Sequence, residues 1–203
     1  MSTQDRAVPV IRALDVIRDE HRALAGVLTA LRHLVRDIRA HGARPDFEVL
    51  RAIVCYVHAF PERLHHPKES ALLFPAMRAR SDEAAATLAR LDDEHAQGDA
   101  SVARLAMALI EYEQLGDARR DAFADAVERY VDGYLRHMEV EEREVLPLAA
   151  RVLADADWKA IDAAFADNRD PLTGHPPEAA FRALFTRIVN LVPAPLGLGP
   201  PAH

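Results

Sequence analysis

The stretch VIRALDVIRDEHRALAGVLTALRHLVRDI, residues 10–38, decides the fold class of this chain. Its apolar residues recur at alternating steps of four and three, which is the spacing of one face of an α-helix. The series has one gap, and His21 fills it. Because a buried imidazole is costly without a polar partner, we expect the His21 side chain to have such a partner inside the core.

Three more stretches carry the same spacing, at about residues 47–80, 88–112 and 123–152. Short loops join the four stretches, and neighbours joined by short loops run in opposite directions. The pattern therefore predicts an all-α fold, an antiparallel up-down-up-down four-helix bundle, with residues 1–154 as its domain.

Prolines and capping residues set the predicted helix boundaries. Asp46 and Ser81 stand where the second and third helices should begin, and both are good N-caps. Pro61, Pro67 and Pro75 fall inside the second helix. Since proline removes a backbone donor and clashes with the preceding turn, we expect these prolines to bend that helix or divide it.

Residues 155–203 are predicted to form a helical extension. Residues 155–168 read as a short helix, 170–177 as a loop, and 181–192 as an amphipathic helix followed by an irregular tail. We expect this extension to pack on the outside of the bundle or against a second subunit, so a homodimer is left open.

Composition narrows the class of protein. The chain has 203 residues, half of them hydrophobic, and a formal net charge of -7, which disfavours nucleic acid as a partner. The single cysteine, Cys55, excludes an internal disulfide and a cysteine-built metal site, and its apolar neighbours predict burial. No signal peptide and no apolar run of about 18–20 residues is visible, so we expect a cytoplasmic protein without membrane contact.

Each of the four predicted helices carries one histidine on its apolar face, and two of these histidines have a glutamate four residues later. Counted from the helix ends at ~1.5 Å per residue, all six side chains fall within about 10 Å along the bundle axis. A lone histidine on such a face is usually a hydrogen-bonded core residue, whereas four at one depth favour a shared metal site. The six candidates are His21, His65, Glu69, His95, His137 and Glu141.

The chemistry of this set points to a pair of metal ions. A histidine and a glutamate four residues apart share a helix face, so the imidazole can bind one metal while the carboxylate bridges to the next. A mixed imidazole and carboxylate set suits iron, manganese or zinc. Six ligands shared by two metals leave positions open for a small molecule.

Three further residues have roles that the spacing leaves open. His66 adjoins His65, and the spacing to Glu69 favours His65 as the ligand; His66 is then a second ligand or an exposed neighbour. Tyr134 and Tyr130 lie one and two turns before the fourth histidine, either as core residues or as side chains that act beside the metals. No residue is an obvious nucleophile, so we assign no catalytic residue and expect the chemistry to belong to the metals.

Four stretches resemble the hemerythrin-like (HHE cation-binding) family: DEHRAL at residues 19–24, HHPKESALLFPAM at 65–77, DEHAQG at 93–98 and HMEVEEREVLPLA at 137–149. The resemblance covers about residues 10–154. It implies a four-helix bundle whose two metals are non-haem iron ions, with manganese or zinc as the alternatives.

The chain departs from the oxygen-carrying members of that family. Those members place two histidines four residues apart on the third helix and end with a histidine–aspartate pair. Here the positions four residues either side of His95 are Leu91 and Asp99, and the last helix carries Glu141. The pattern resembles the non-carrier branch, which is associated with peroxide, nitric oxide or iron handling.

We therefore expect a protein of oxidative stress that reacts with hydrogen peroxide, oxygen or nitric oxide, most concretely by catalase-like disposal of peroxide. Binding or sensing of oxygen or nitric oxide without turnover stays open as an alternative, and so does iron storage or delivery. Simple reversible oxygen carriage is disfavoured.

Overall fold

A computed structural model of the chain describes residues 12–168, 170–173 and 182–191, and these residues are helical with no β-strand among them. The prediction of an all-α fold is confirmed. The helices are α1 (Arg12–His41), α2 (residues 47–78), α3 (residues 85–115), α4 (residues 120–152), α5 (Asp155–Ala166) and α6 (Arg182–Leu191). The predicted start of the first helix at residue 10, the loop over 174–177 and the tail from 193 lie outside the described residues.

Helices α2 and α4 contain wide π-helical turns. Helix α2 consists of Phe47–Val57, the π segment His58–His65, His66–Lys68, the π segment Glu69–Leu73, and Phe74–Arg78. Helix α4 consists of Arg120–Val140, the π segment Glu141–Val145, and Leu146–Val152.

Proline accompanies these wide turns. Pro61 lies inside the first π segment of α2, while Pro75 and Pro147 follow the π segments that begin at Glu69 and Glu141. Proline has no N–H for the α-helical ladder and its ring crowds the carbonyl four residues back, so a wider turn relieves both problems. The predicted division of α2 is thus a change of winding and not a chain break.

One of the two predicted N-caps is wrong. The side chain of Asp46 accepts the backbone N–H groups of Glu48 and Val49, as predicted for the start of α2. Ser81 does not cap α3, because that helix begins at Ala85 and the Ser81 hydroxyl accepts only the N–H of Glu83 in the preceding turn. Helix α3 has two pieces, Ala85–Ala96 and Gly98–Leu115.

The helices pack around two separate apolar clusters with a polar layer between them. Helix α4 packs against α1 and α3, α2 packs against α3 and α6, and α5 packs against α1. One cluster contains Leu28, Tyr56 and Val127, and the other contains Ile17 and Trp158. On α1, α2 and α3 the candidate ligands lie between residues of the two clusters; on α4 Glu141 does so, while His137 lies beside Met138, the last residue of the first cluster on that helix.

Ion pairs connect α1 to α4 in a regular order. Arg18 faces Glu142, Arg36 pairs with Glu128, and Arg39 pairs with Asp125, so later positions on α1 meet earlier positions on α4.

The cysteine prediction is wrong. Cys55 is exposed, because its position on α2 falls on the face opposite Val54 and Val57, which pack in the core. Within the described ranges, every helix is too short or too polar to cross a membrane.

Candidate metal centre

The structure brings all six predicted ligands together, and His66 with them. The ligand atoms fall into three groups, and within each group they lie within 4.8 Å of one another. The groups are His21 with His65 and Glu69; His66 with His95 and His137; and Glu69 with His95 and Glu141.

Two carboxylates lie at the middle of this cluster, and both are 0 % exposed. Each carboxylate faces imidazoles from two different helices, which is the arrangement that a bridging carboxylate needs. The separations are 3.2 Å from Glu69 Oε1 to His65 Nε2, 3.7 Å from Glu69 Oε2 to His95 Nε2, 3.3 Å from Glu141 Oε1 to His137 Nε2, and 3.3 Å from Glu141 Oε2 to His21 Nε2.

Each of the five imidazoles has its Nδ1 bonded to an oxygen on another side chain. Such a partner fixes the ring orientation and the tautomer and leaves Nε2 facing the centre, although in His66 this nitrogen is bonded to the Tyr134 hydroxyl. The pairs are His21 with Glu142 at 3.1 Å, His65 with Glu20 at 2.6 Å, His66 with Glu62 at 3.1 Å, His95 with Ser70 at 2.8 Å, and His137 with Glu94 at 2.7 Å.

These supporting residues repeat along the chain. Glu20 and Glu94 occupy the same place in the two DEH stretches, and they hold His65 on α2 and His137 on α4. The residue that follows each central glutamate, Ser70 or Glu142, holds the histidine of a neighbouring helix. Spacing did not reveal these roles, although an oxygen-bearing residue directly beside four of the six ligands was the available signal.

His66 breaks this repeat, since Met138 stands at the matching position of α4. The spacing argument favoured His65 over its neighbour, yet both imidazoles are buried. Two consecutive residues can both face the core of this bundle, as His137 and Met138 do in a regular part of α4, and His65 and His66 do so where the π segment His58–His65 ends. His66 stacks on His95 with ring centroids 4.1 Å apart.

The two predicted tyrosines lie on the side of the centre where His66 lies. The Tyr134 hydroxyl donates to His66 Nε2 at 2.9 Å. The Tyr130 hydroxyl is buried near Glu62, and burial together with that carboxylate raises its pKa. Burial raises the pKa of Glu62 to about 7.

Opposing effects set the protonation of the imidazoles. Burial lowers the pKa of His137, but the Glu141 and Glu94 carboxylates outweigh it and raise that pKa to about 9. Burial and the neighbouring His66 lower the pKa of His95 to about 2. Without a cation, therefore, the cluster is a mixture of neutral and protonated rings, and metal binding has to displace protons from the latter.

The buried oxygens fit a cation. Both carboxylate oxygens of Glu69 and of Glu141, together with His65 Nε2, are buried, and no hydrogen bond within the described part of the chain satisfies them. The neighbouring imidazoles pair with these oxygens electrostatically but do not hydrogen-bond them, and buried polar atoms nearly always have a hydrogen-bond partner. Nitrogen and oxygen donors of this kind suit iron, manganese or zinc, so the residues present fit a metal pair.

A model of the hemerythrin HHE cation-binding domain matches residues 12–149, which include every residue of the cluster. No curated protein and no solved structure matches the chain. The matched range covers α1 to α3 and α4 up to Ala149. The chain belongs to the hemerythrin HHE cation-binding domain family.

Proposed function

We propose that this protein holds two non-haem iron ions in an antiparallel up-down-up-down four-helix bundle and uses them on small oxidants. Residues 1–154 form the bundle in this proposal, and residues 155–203 form the helical extension. The ordered ion pairs between α1 and α4 support the antiparallel arrangement, since their partners run in opposite directions along the two helices.

The observation that carries the proposal is the pair of buried carboxylates with no hydrogen-bond partner among the described residues. His21 and His65 would hold one iron, and His95 and His137 would hold the other with His66 as an additional ligand. Glu69 and Glu141 would bridge the two ions. These are the six ligands and the further candidate that the spacing predicts.

The residues of the chain orient the ligands and exclude water. Glu20, Glu62, Glu94, Glu142 and Ser70 fix the imidazoles through Nδ1. Apolar clusters above and below the layer close it off from solvent along the bundle axis. When bound, the iron pair would supply the redox chemistry, taking two electrons from one hydrogen peroxide, which leaves as oxygen, and giving them to a second, which becomes water.

Disposal of hydrogen peroxide is the most concrete form of this function. A store of readily exchangeable iron suits this geometry less well. Five imidazoles held in fixed orientations and two buried carboxylates are expected to bind iron tightly and to release it slowly.

The test begins with elemental analysis of protein purified without added metal, and we expect about two iron ions per chain. Oxygen evolution from peroxide is then measured for the parent, for Glu141→Gln and for the surface control Glu111→Gln. We expect evolution from the parent and the control, and loss of iron and of evolution in Glu141→Gln. Iron-loaded protein that evolves no oxygen but forms a stable spectroscopic adduct with oxygen or nitric oxide would favour binding or sensing. Protein that takes up no metal would refute the proposal.

A further inference from the structure

A cleft of about 840 Å³ lies between α3 and α4 and ends at His66 and His137. Small-molecule sites occupy about 300–1,000 Å³. A water-sized ligand needs only about 30 Å³. The cleft is therefore much larger than hydrogen peroxide or a diatomic gas requires, and its volume fits an organic molecule.

The other side of the centre is closed. Next to His21 and His65 the space measures only about 20 Å³, beneath Tyr56 and Phe60. A molecule larger than water can therefore approach the centre on the side of His66 and His137.

Three arginines on the cleft wall have no carboxylate partner within the described ranges, namely Arg104, Arg129 and Arg136. Arg90 and Arg143 also line the cleft, but each has a glutamate of its own helix beside it. Four glutamates also line the cleft: Glu94 and Glu139 are the partners of Arg90 and Arg143, Glu144 accepts from Thr87, and Glu62 bonds His66. Five arginines against four glutamates leave a small excess of positive charge on this wall, although the chain as a whole has a net charge of -7. Guanidinium groups attract anions and bind carboxylate, sulfonate or phosphate with two parallel hydrogen bonds.

The inner part of the cleft offers surface for an apolar or aromatic body. Tyr130, Tyr134 and Leu105 line it. Tyr130 and Tyr134 lie close together with ring centroids 5.6 Å apart, so a flat ligand can contact both.

Gly133 keeps the cleft open on the α4 side. It lies inside a regular α-helix and lines the cleft, yet a Cβ added there would meet no atom within 4 Å. Packing therefore does not require glycine at this position, although glycine costs about 1 kcal/mol relative to alanine in a helix interior. Its effect in this fold is to leave room in the cleft.

We propose that this cleft binds an organic anion, with its apolar body against Tyr130 and Tyr134 and its charged group toward Arg129 and Arg136. The bound molecule would lie beside His66 and His137. Any reaction of the bound anion rests on the proposed iron centre, whereas binding of the anion depends only on the cleft.

The probe is anilinonaphthalene sulfonate, and its uncharged analogue N-phenylnaphthylamine is the matched control ligand. Both fluoresce when they leave water, and they share an aromatic body but differ in the sulfonate. Affinities are measured by fluorescence titration on protein as purified. The variants are Arg129→Ala/Arg136→Ala, Gly133→Trp to fill the cleft, and Arg44→Ala as an exposed control outside it.

We expect the parent to bind the sulfonate more tightly than the neutral analogue, and salt to weaken only the former. The double arginine variant should bind the sulfonate about five- to tenfold more weakly, as two lost surface charge contacts imply. Gly133→Trp should abolish binding of both dyes, and Arg44→Ala should change neither.

Unchanged sulfonate binding in Gly133→Trp, or in the double arginine variant, would overturn the proposal. So would equal binding of the two dyes. Circular dichroism and the iron content of the same samples separate this result from misfolding and from failure of the iron proposal, because dye affinity and metal content are measured independently.

Discussion

At the residue scale, the centre depends on groups that never face the metal position. Each imidazole has two ring nitrogens, and the oxygen bonded to Nδ1 decides which one is free for a cation. Glu20 has two partners at one oxygen, since its Oε2 accepts hydrogen bonds from His65 Nδ1 at 2.6 Å and from the Asn168 amide at 3.0 Å. Asn168 belongs to the segment after α5, so the extension contributes to the orientation of a candidate ligand.

Removing the charge of Glu20 tests this role. Glu20→Gln keeps the shape of the side chain, but the neutral amide holds the His65 ring less firmly. The ring is then a weaker ligand for a metal ion. We expect metal affinity to fall about 10- to 100-fold, as is typical for such supporting residues. Competition with a chelator, followed by elemental analysis, measures it. Asp19→Asn, at the exposed preceding residue, is the control and should bind metal like the parent. Parent-like affinity in Glu20→Gln would show that the ring needs no such support.

The sequence predicted the candidate ligands better than their supports. His21, His65, His95 and His137 occupy positions of the apolar repeat, and periodicity identifies such positions without coordinates. Glu20 and Glu94 lie one residue off that repeat, where a helical wheel places a flank. Their partners sit on other helices, so only the packing of α1 to α4 reveals them.

At the element scale, α2 shows which side chains face the centre, a question that the periodicity of the sequence left open for His65 and His66. Spacing to Glu69 favours His65 over His66, but a helical wheel does not decide whether both face inward, since consecutive residues such as Val27 and Leu28 are both buried in regular helix. Both imidazoles are buried where the π segment His58–His65 ends, and Glu62 within that segment has a side chain that is only 3 % exposed. Glu62 pairs with His66, whereas His58, four residues before Glu62, lies 3.6 Å from Asp99.

The break in α3 makes space for that glutamate. Gly98 opens the second piece of α3, and a Cβ there would lie 1.9 Å from Glu62 Oε2. In Gly98→Ala the carboxylate has to turn away, which removes the acceptor of His66 Nδ1. A buried donor without an acceptor costs about 1–3 kcal/mol, so we expect a net destabilisation of about 1 kcal/mol after the gain in helix propensity.

Urea unfolding followed by circular dichroism measures this effect. Gly133→Ala is the matched control, since a Cβ meets nothing there, and it should stabilise the protein by up to about 1 kcal/mol. In a Glu62→Ala background, Gly98→Ala should lose its penalty, because the atom it displaces is gone. A penalty that persists in that background would contradict the contact.

At the scale of the whole molecule, the extension closes one side of the bundle. Helix α5 packs on α1, and its Phe165 meets the His65 ring edge-on with centroids 5.8 Å apart. Helix α6 packs on α2, where Phe185 contacts Tyr56 and Phe60. The cleft on the opposite side stays open, so among the described residues the wider approach to the centre is from the side of His66 and His137. Periodicity predicted the two extension helices but carried no information on which faces they cover.

Asp170 attaches this extension to the bundle and makes the attachment sensitive to pH. The Tyr56 hydroxyl of α2 donates to Asp170 Oδ2 at 2.7 Å, and the Leu172 N–H donates to Oδ1 at 2.9 Å. Burial nevertheless raises the pKa of Asp170 from 3.8 to about 6. The folded protein therefore retains a proton that the unfolded chain releases, so stability is highest below the unfolded pKa and falls as the pH rises through this window.

Asp170→Asn removes that titration while leaving a side chain of the same shape. Between about pH 4 and pH 7 we expect the variant to gain about 2 kcal/mol of unfolding free energy relative to the parent, because only the parent has to bury a charge as the pH rises. Urea unfolding at steps of pH measures the difference, with the exposed Asp167→Asn as the control for nonspecific charge effects. A difference between variant and parent that stays constant with pH would mean that Asp170 is ionised throughout. The hydrogen bonds that Asp170 accepts from Tyr56 and Leu172 would then outweigh the effect of burial on its pKa.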